Sequence, residues 1–242
     1  MRRNQIKLMS GVLFTGLLVI GSATIAAPPP NDLCSGAFTV PAAGPFPHLS
    51  TVVDVTDAGE AADPPFPSCS STVSRSVWYS FKPVATSIYR ISTCADTATT
   101  VADTVMGIYI SSGGCAGPFE EVACSDDNCS SRSVVERVLM AGTTYYVVVW
   151  EYGEEPPVPG QTLVQLRISA PPPVFTTPSL LSGGQLQLNF SALAGQSYEV
   201  QRSTDLTNWF RLGDAQSVST GMFQFTVTNL VAPARFFRVK SL

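Results

Sequence analysis

From residue 76 onward the chain alternates apolar and polar side chains with a period of two. Residues 76–82 (SVWYSFK), 87–93 (SIYRIST), 103–110 (DTVMGIYI), 132–139 (RSVVERVL), 143–150 (TTYYVVVW) and 162–169 (TLVQLRIS) carry that alternation. They are rich in β-branched and aromatic residues, which predicts strands. Ser112-Gly113-Gly114, Ala141-Gly142 and Pro156-Pro157 break the runs at short intervals. Strands separated by turns, with no helical period of useful length after residue 26, predict an antiparallel sandwich or barrel rather than alternating strands and helices.

A second, shorter pattern follows Pro171-Pro172-Pro173. Leu186, Leu188 and Phe190 alternate, then Tyr198 and Val200, then Phe223, Phe225 and Val227, and finally Phe237 and Val239. Each set is expected to face one core. A proline triplet favours stiff, extended chain, so the expected division is 27–170, a linker at 171–173, and 174–242. The second unit, about 69 residues without a cysteine, is near the lower limit for an uncross-linked core. It is expected to lean on its neighbour or to be only modestly stable, and to melt separately from and below the first.

The N-terminus is different in kind. Arg2, Arg3 and Lys7 precede an apolar run from Leu8 to about Gly21, followed by small residues through Ala26 and Ala27. That is the layout of a secretory signal peptide over 1–26, with an apolar run too short to span a bilayer. Its removal leaves 11 basic residues against 18 acidic ones, a net charge of −7 with His48 neutral. Nucleic acid and anionic membrane surfaces are poor partners for such a chain, because both attractions rest on clustered Lys and Arg.

All six cysteines, Cys34, Cys69, Cys94, Cys115, Cys124 and Cys129, lie in the first unit. An even count in an exported protein predicts three disulfides. Gly117-Pro118 lies between Cys115 and Cys124 and marks a turn, so that pair is expected to close a hairpin. Cys34–Cys69 and Cys94–Cys129 are then assigned by exclusion, with the swapped pairings left open.

Candidate chemistry is sparse. The only histidine, His48, lies in a Pro-rich stretch without a strand pattern, and no nucleophile motif accompanies it. A hydrolase using a carboxylate pair stays open because Asp54, Asp57, Glu60, Glu120, Glu121, Glu151, Glu154 and Glu155 are available. A carbohydrate-binding reading rests on Trp150 and Tyr152, which end a strand beside a Glu-Glu-Pro-Pro loop and are expected to be exposed. Trp78 and Trp209 are expected in the two cores. Asn31-Asp32 and Asp126-Asp127-Asn128 offer the clustered oxygens that calcium takes from loops.

Four segments, PPPNDLCSGA (28–37), SVWYSFKP (76–83), DTVMGIYISSGGCAGPFEEVACSDD (103–127) and AGTTYYVVVW (141–150), resemble in that order a secreted bacterial β-sandwich domain similar to the pre-peptidase C-terminal family and its collagen-binding relatives. Farther on, LNFSALAGQSYEVQRSTDLTNWFRLGDA and ARFFRVKSL resemble a small fibronectin-like module. The resemblance implies an all-β chain: an antiparallel, jelly-roll-like β-sandwich followed by a smaller β-sandwich module. It also implies calcium at Asn31 and Asp32, here joined by Asp126 and Asp127. Pro30 stands where those relatives commonly carry an acid, and Ser76-Val77-Trp78-Tyr79 replaces their Asp-x-Asp-x-Tyr strand. The function expected is a secreted binding, adhesion or accessory module without catalysis of its own. Its expected partner is an extracellular polymer, surface protein or glycan.

Overall fold

A computed structural model describes residues 27–228 and 236–242; the expected signal peptide lies outside the described residues. The first unit contains β1 (Phe38–Val40), β2 (His48–Leu49), β3 (Val53–Asp54), β4 (Val73–Phe81), β5 (Ser87–Ser92), β6 (Thr104–Ser111), β7 (Phe119–Ser125), β8 (Val134–Leu139), β9 (Tyr145–Tyr152), β10 (Leu163–Val164) and β11 (Arg167–Ser169). The second contains β12 (Val174–Phe175), β13 (Ser179–Leu181), β14 (Gln185–Ser191), β15 (Tyr198–Ser203), β16 (Phe210–Asp214), β17 (Gln216–Ser219), β18 (Met222–Val227) and β19 (Phe236–Ser241). Among the described residues the only helical pieces are two short 3-10 turns, and no helix is long and apolar enough to cross a membrane.

In the first unit a sheet of order β1-β4-β9-β6-β7 faces a sheet of order β2-β11-β5-β8, with a short β3–β10 ladder beside them. From β4 to β9 the chain changes sheet at every connection except the β6–β7 hairpin, the connectivity of a jelly-roll-like sandwich. All pairings are antiparallel except β1 on β4. Val77, Tyr79, Phe81, Met106, Ile108, Val147 and Val149 point inward from the first sheet and meet Tyr89, Ile91, Leu139 and Ile168 of the second.

The alternation in the central strands is not apolar in, polar out. The outward residues Trp78, Val105, Tyr109, Val148 and Trp150 form a second buried cluster. A sheet apolar on both faces needs cover on both. Here the outer cover is irregular chain, residues 31–37 and 59–72, which has no ladder of its own to hold it.

Three disulfides are present, as the even cysteine count predicts, and two of them fasten this cover. Cys34 bonds Cys115 and Cys69 bonds Cys124, with Cα separations of 5.5 and 6.0 Å; Cys94 bonds Cys129. The expected pairs Cys115–Cys124 and Cys34–Cys69 are therefore corrected. The hairpin register explains why. Ser111 faces Phe119 at the closed end and Cys115 lies in the turn beyond it, whereas Cys124 faces Gly107, five residues down β7. At about 3.3 Å per residue that is roughly 16 Å, out of reach of a bond that needs Cα atoms within about 7 Å.

The second unit packs β12-β14-β18-β17, with β13 also on β14, against β16-β15-β19. Leu188, Phe190, Tyr198, Val200, Phe223 and Val227 fill its core. Trp209 does not, contrary to expectation: its Nε1 donates to Leu206 O at 3.0 Å and the Arg238 guanidinium lies 4.3 Å from its ring centre. This unit does lean on the first. Leu193, in the β14–β15 turn, is buried within the first unit's inner core, and Ser241 Oγ donates to Phe46 O across the junction. Leu193 is thus a core residue shared by the two units, a contact through which their unfolding would be coupled. Leu193→Ala will lower stability by about 2–4 kcal/mol and split the calorimetric unfolding into two transitions. Two unchanged transitions in wild type and variant would show that the units are energetically separate.

Candidate calcium site

At the end of the sandwich where β4 and β6 begin, the loop between β7 and β8 turns back on itself. Cys94–Cys129 holds its middle. Ser125 Oγ accepts from Val134 N and from Asn128 Nδ2, each at 3.0 Å, and Cys129 N donates to Arg132 O at 2.9 Å. Beneath the loop lies a buried hydroxyl layer. Thr93 Oγ1 and Thr104 Oγ1 are 2.7 Å apart, Ser133 N donates to Thr104 Oγ1, and the Ser133 hydroxyl has Thr104 O and Ser125 O as its two available acceptors. Polar residues take these wholly buried places because they satisfy one another.

This loop presents Asp126 and Asp127 to Asp103, the residue before β6, with one carboxylate oxygen from each lying within 4.8 Å of the others. Asp103 O accepts from Tyr152 N at 3.1 Å, which fixes its backbone, but its Oδ1 is buried with no hydrogen-bond partner. Burial, then the charges of Asp126, Asp127 and Glu151, push Asp103 up to about 6, and burial with Asp127 raises Asp126. Glu151 faces Thr104 across the sheet and pairs with Arg75, Nε to Oε2 at 2.7 Å. Arg75 occupies a bulge in β4 at φ +50°, in the left-handed region that disfavours side chains. Its Nη2 and the neighbouring Ser74 Oγ are also buried without partners.

An all-oxygen donor set, crowded like charges and an orphaned carboxylate oxygen fit a hard cation such as Ca²⁺, which takes six to eight oxygen ligands. Asp103, Asp126 and Asp127 are the residues that would hold it.

The four ligands expected from the sequence do not form one set. Asn31 is wholly buried: its O accepts from Trp78 N at 2.8 Å and its Nδ2 donates to Trp78 O at 3.0 Å, extending the edge of β4. Asp32 Oδ1 accepts from Gly59 N at 2.6 Å. Both staple the outer cover, while Asp126 and Asp127 meet Asp103 instead. Asp103 is visible in the sequence only as the first residue of a strand. Its partnership follows from the β6–β7 register, which carried outward brings residues 103–105 alongside 126–128.

The expected exposure of Trp150 is also corrected. The ring is 1% exposed, and its Nε1 donates to Asp63 Oδ2 at 2.7 Å. Asp63 Oδ1 accepts from Trp78 Nε1 and Ser76 Oγ, each at 3.0 Å. Tyr152 is exposed and borders the acidic site through its bond to Asp103.

Several of the acids available for a catalytic pair are engaged elsewhere. Glu60 Oε1 accepts from Arg75 N, Glu121 accepts from Ser68 N and Oγ, Glu151 holds Arg75, and Asp54 accepts from Thr56. No family model matches the chain, and no curated protein matches it.

The raised acid at Asp103 has a definite sign. Its folded value near 6 exceeds the ordinary 3.8, so its stabilising effect is full below about 3.8 and is lost as pH rises through about 6. In chelator at pH 7, Asp103→Asn will therefore be more stable than wild type, on the order of 1 kcal/mol after discounting for solvent that still reaches the group. Its decline in melting temperature between pH 4 and 7 will be shallower, though not abolished, since Asp63 is raised in the same direction. An Asp103→Asn protein less stable than wild type at pH 7 in chelator would contradict the placement.

Proposed function

We propose that this chain is an exported, non-catalytic binding or adhesion module whose sandwich is consolidated at one end by calcium. The observation that carries the reading is the meeting of Asp103, Asp126 and Asp127 around a buried, unpartnered carboxylate oxygen. Three disulfides support export to an oxidising compartment. An oxygen from each of three carboxylates lies within 4.8 Å of the others, the crowded all-oxygen set that a hard cation takes, which favours ion binding over a hydrolase pair.

The likeness to the pre-peptidase C-terminal and collagen-binding domains belongs to this proposal. Three of its four segments supply β4, β6, β7 and β9 of the five-stranded sheet, and the fourth is the 31–37 cover laid on that sheet. A glycan-binding role rests on Tyr152 alone once Trp150 is buried. The partner favoured is a surface protein or extracellular polymer met by the loops beside Tyr152.

Extracellular modules commonly bind calcium at 10⁻⁴–10⁻³ M, so 1–5 mM calcium will raise wild-type stability by about 1 kcal/mol over chelator. Asp32→Ala will show the same shift, because Asp32 lies outside the site, while Asp103→Asn and Asp127→Asn will show none. No shift in wild type, or an equal shift in Asp103→Asn, would remove calcium from the account. A glycan array run with and without calcium separates the glycan alternative from a protein partner.

A further inference from the structure

Opening a disulfide by thiol exchange needs a sulfur that the attacking thiolate can reach and a departing sulfur that can carry charge. The three cross-links of the first unit differ in both respects. Cys34–Cys115 offers an exposed Cys115, but Cys34, which would depart, is buried in the apolar cluster of Trp78 and Trp150, where a thiolate is disfavoured. In Cys94–Cys129 the relation is reversed. Arg90 Nη2, 3.7 Å from Cys94 Sγ, would favour a thiolate there, but Cys94 is buried and Cys129 is only partly exposed inside the folded-back β7–β8 loop. Cys69–Cys124 alone meets both conditions. Cys69 is exposed, and half-buried Cys124 has Ser68 Oγ 3.4 Å from its Sγ, a hydroxyl able to turn its hydrogen towards a departing thiolate.

The chain that this bond holds is short and is bracketed by other ties. Upstream, Glu60 accepts from Arg75 N, and Asp63 accepts from both indoles and from Ser76. Downstream, Thr72 O accepts from Gly153 N and β4 begins at Val73. Residues 64–71 lie between these anchors and present Phe66 to solvent. Among the described residues, the hydrogen bonds that tie 64–71 to the sheet are those of Ser68 N and Oγ to Glu121. Tyr109 faces Glu121 across the hairpin, and its hydroxyl is buried without a partner. Burial, then the charges of Glu121 and Asp63, raise that hydroxyl, which places it near both attachments of the segment. Freeing 64–71 admits water to it and offsets part of what the opening loses.

We propose that Cys69–Cys124 is a redox latch, and that its reduction by a dithiol frees residues 64–71 as a flap while Asp63 keeps the rest of the cover in place. A thiolate of the dithiol attacks Cys69 Sγ, the bond to Cys124 breaks, and Cys124 departs as a thiolate that takes a proton from solvent. The second thiol of the dithiol then attacks the mixed disulfide and releases Cys69 as a thiol. Two electrons pass to the protein, which ends with two thiols, and the dithiol ends as a disulfide. Oxidation of the two thiols closes the flap again.

The test is partial reduction of the full chain by dithiothreitol at mildly alkaline pH without denaturant, trapped with iodoacetamide and mapped by peptide mass. Cys69 and Cys124 will be alkylated about tenfold or more sooner than the other four cysteines. The ¹⁵N-correlation spectrum of protein reduced at this bond alone will change over residues 64–72 and the facing residues of β6 and β7, with the indole signals of Trp78 and Trp150 in place. The double variant Cys69→Ser, Cys124→Ser will fold and give the same spectrum. Earlier or simultaneous alkylation of another pair would overturn the proposal. So would loss of the two indole signals when this bond alone is open, in the reduced protein or in the double variant, or a spectrum that does not change over residues 64–72.

Discussion

One carboxylate, Asp63, holds the outer face of the first sandwich together. It accepts from both buried indoles of that face, Trp78 and Trp150, and from Ser76. Burial pushes it up to about 6 against the opposing pull of those donors, so its ionised form is costly in itself and is sustained by the bonds it receives. Taking it away leaves two indole N–H groups buried and unpaired. The reason the fold needs such a fastening is visible in β4, β6 and β9, which are apolar on both faces. One face is covered by a sheet with its own hydrogen-bond ladders. The other is covered by irregular, proline-rich chain that can be fixed only by side chains and cross-links.

The remaining ties on that cover come from both sides. Asn31 extends the edge of β4, Asp32 holds Gly59, Glu60 holds the amide of Arg75, and Ser68 is held by Glu121. Cys34–Cys115 and Cys69–Cys124 add covalent ties to the β6–β7 hairpin. Glu60 touches the bulge that carries Arg75, Arg75 pairs with Glu151, and Glu151 raises Asp103. The acidic site is therefore physically continuous with the cover, which makes a cation there a means of relieving repulsion at the end of the same sheet.

Much of the fold was legible because six strands announce themselves by period-two alternation, and β4, β5, β6, β8 and β9 fall within a few residues of it. The strand β7 was not legible. Its FEEVACS breaks the alternation because Glu121 and Cys124 tie down Ser68 and Cys69 of the cover, while Phe119, Val122 and Ala123 pack on the two apolar clusters. Missing β7 left the hairpin register unknown, and with it went both the Cys69–Cys124 pairing and the partnership of Asp103 with Asp126 and Asp127. Trp150 was misplaced for a related reason. A tryptophan near a strand end beside an acidic loop has the pattern of an exposed platform unless a distant acid reaches its indole. Asp63 lies in ADPPFPSC with no periodicity to mark it, so nothing local reveals that it reaches two tryptophans on different strands.

The most direct test of this account is amide and indole hydrogen exchange of the full chain by NMR. The indole N–H signals of Trp78 and Trp150 will exchange slowly and together, close to the global unfolding limit, while that of Trp209, bonded to Leu206 O near the surface, will exchange far faster. Rapid exchange of the Trp78 and Trp150 indoles in a folded protein would show that Asp63 does not hold the cover, and the account of the outer face would fail.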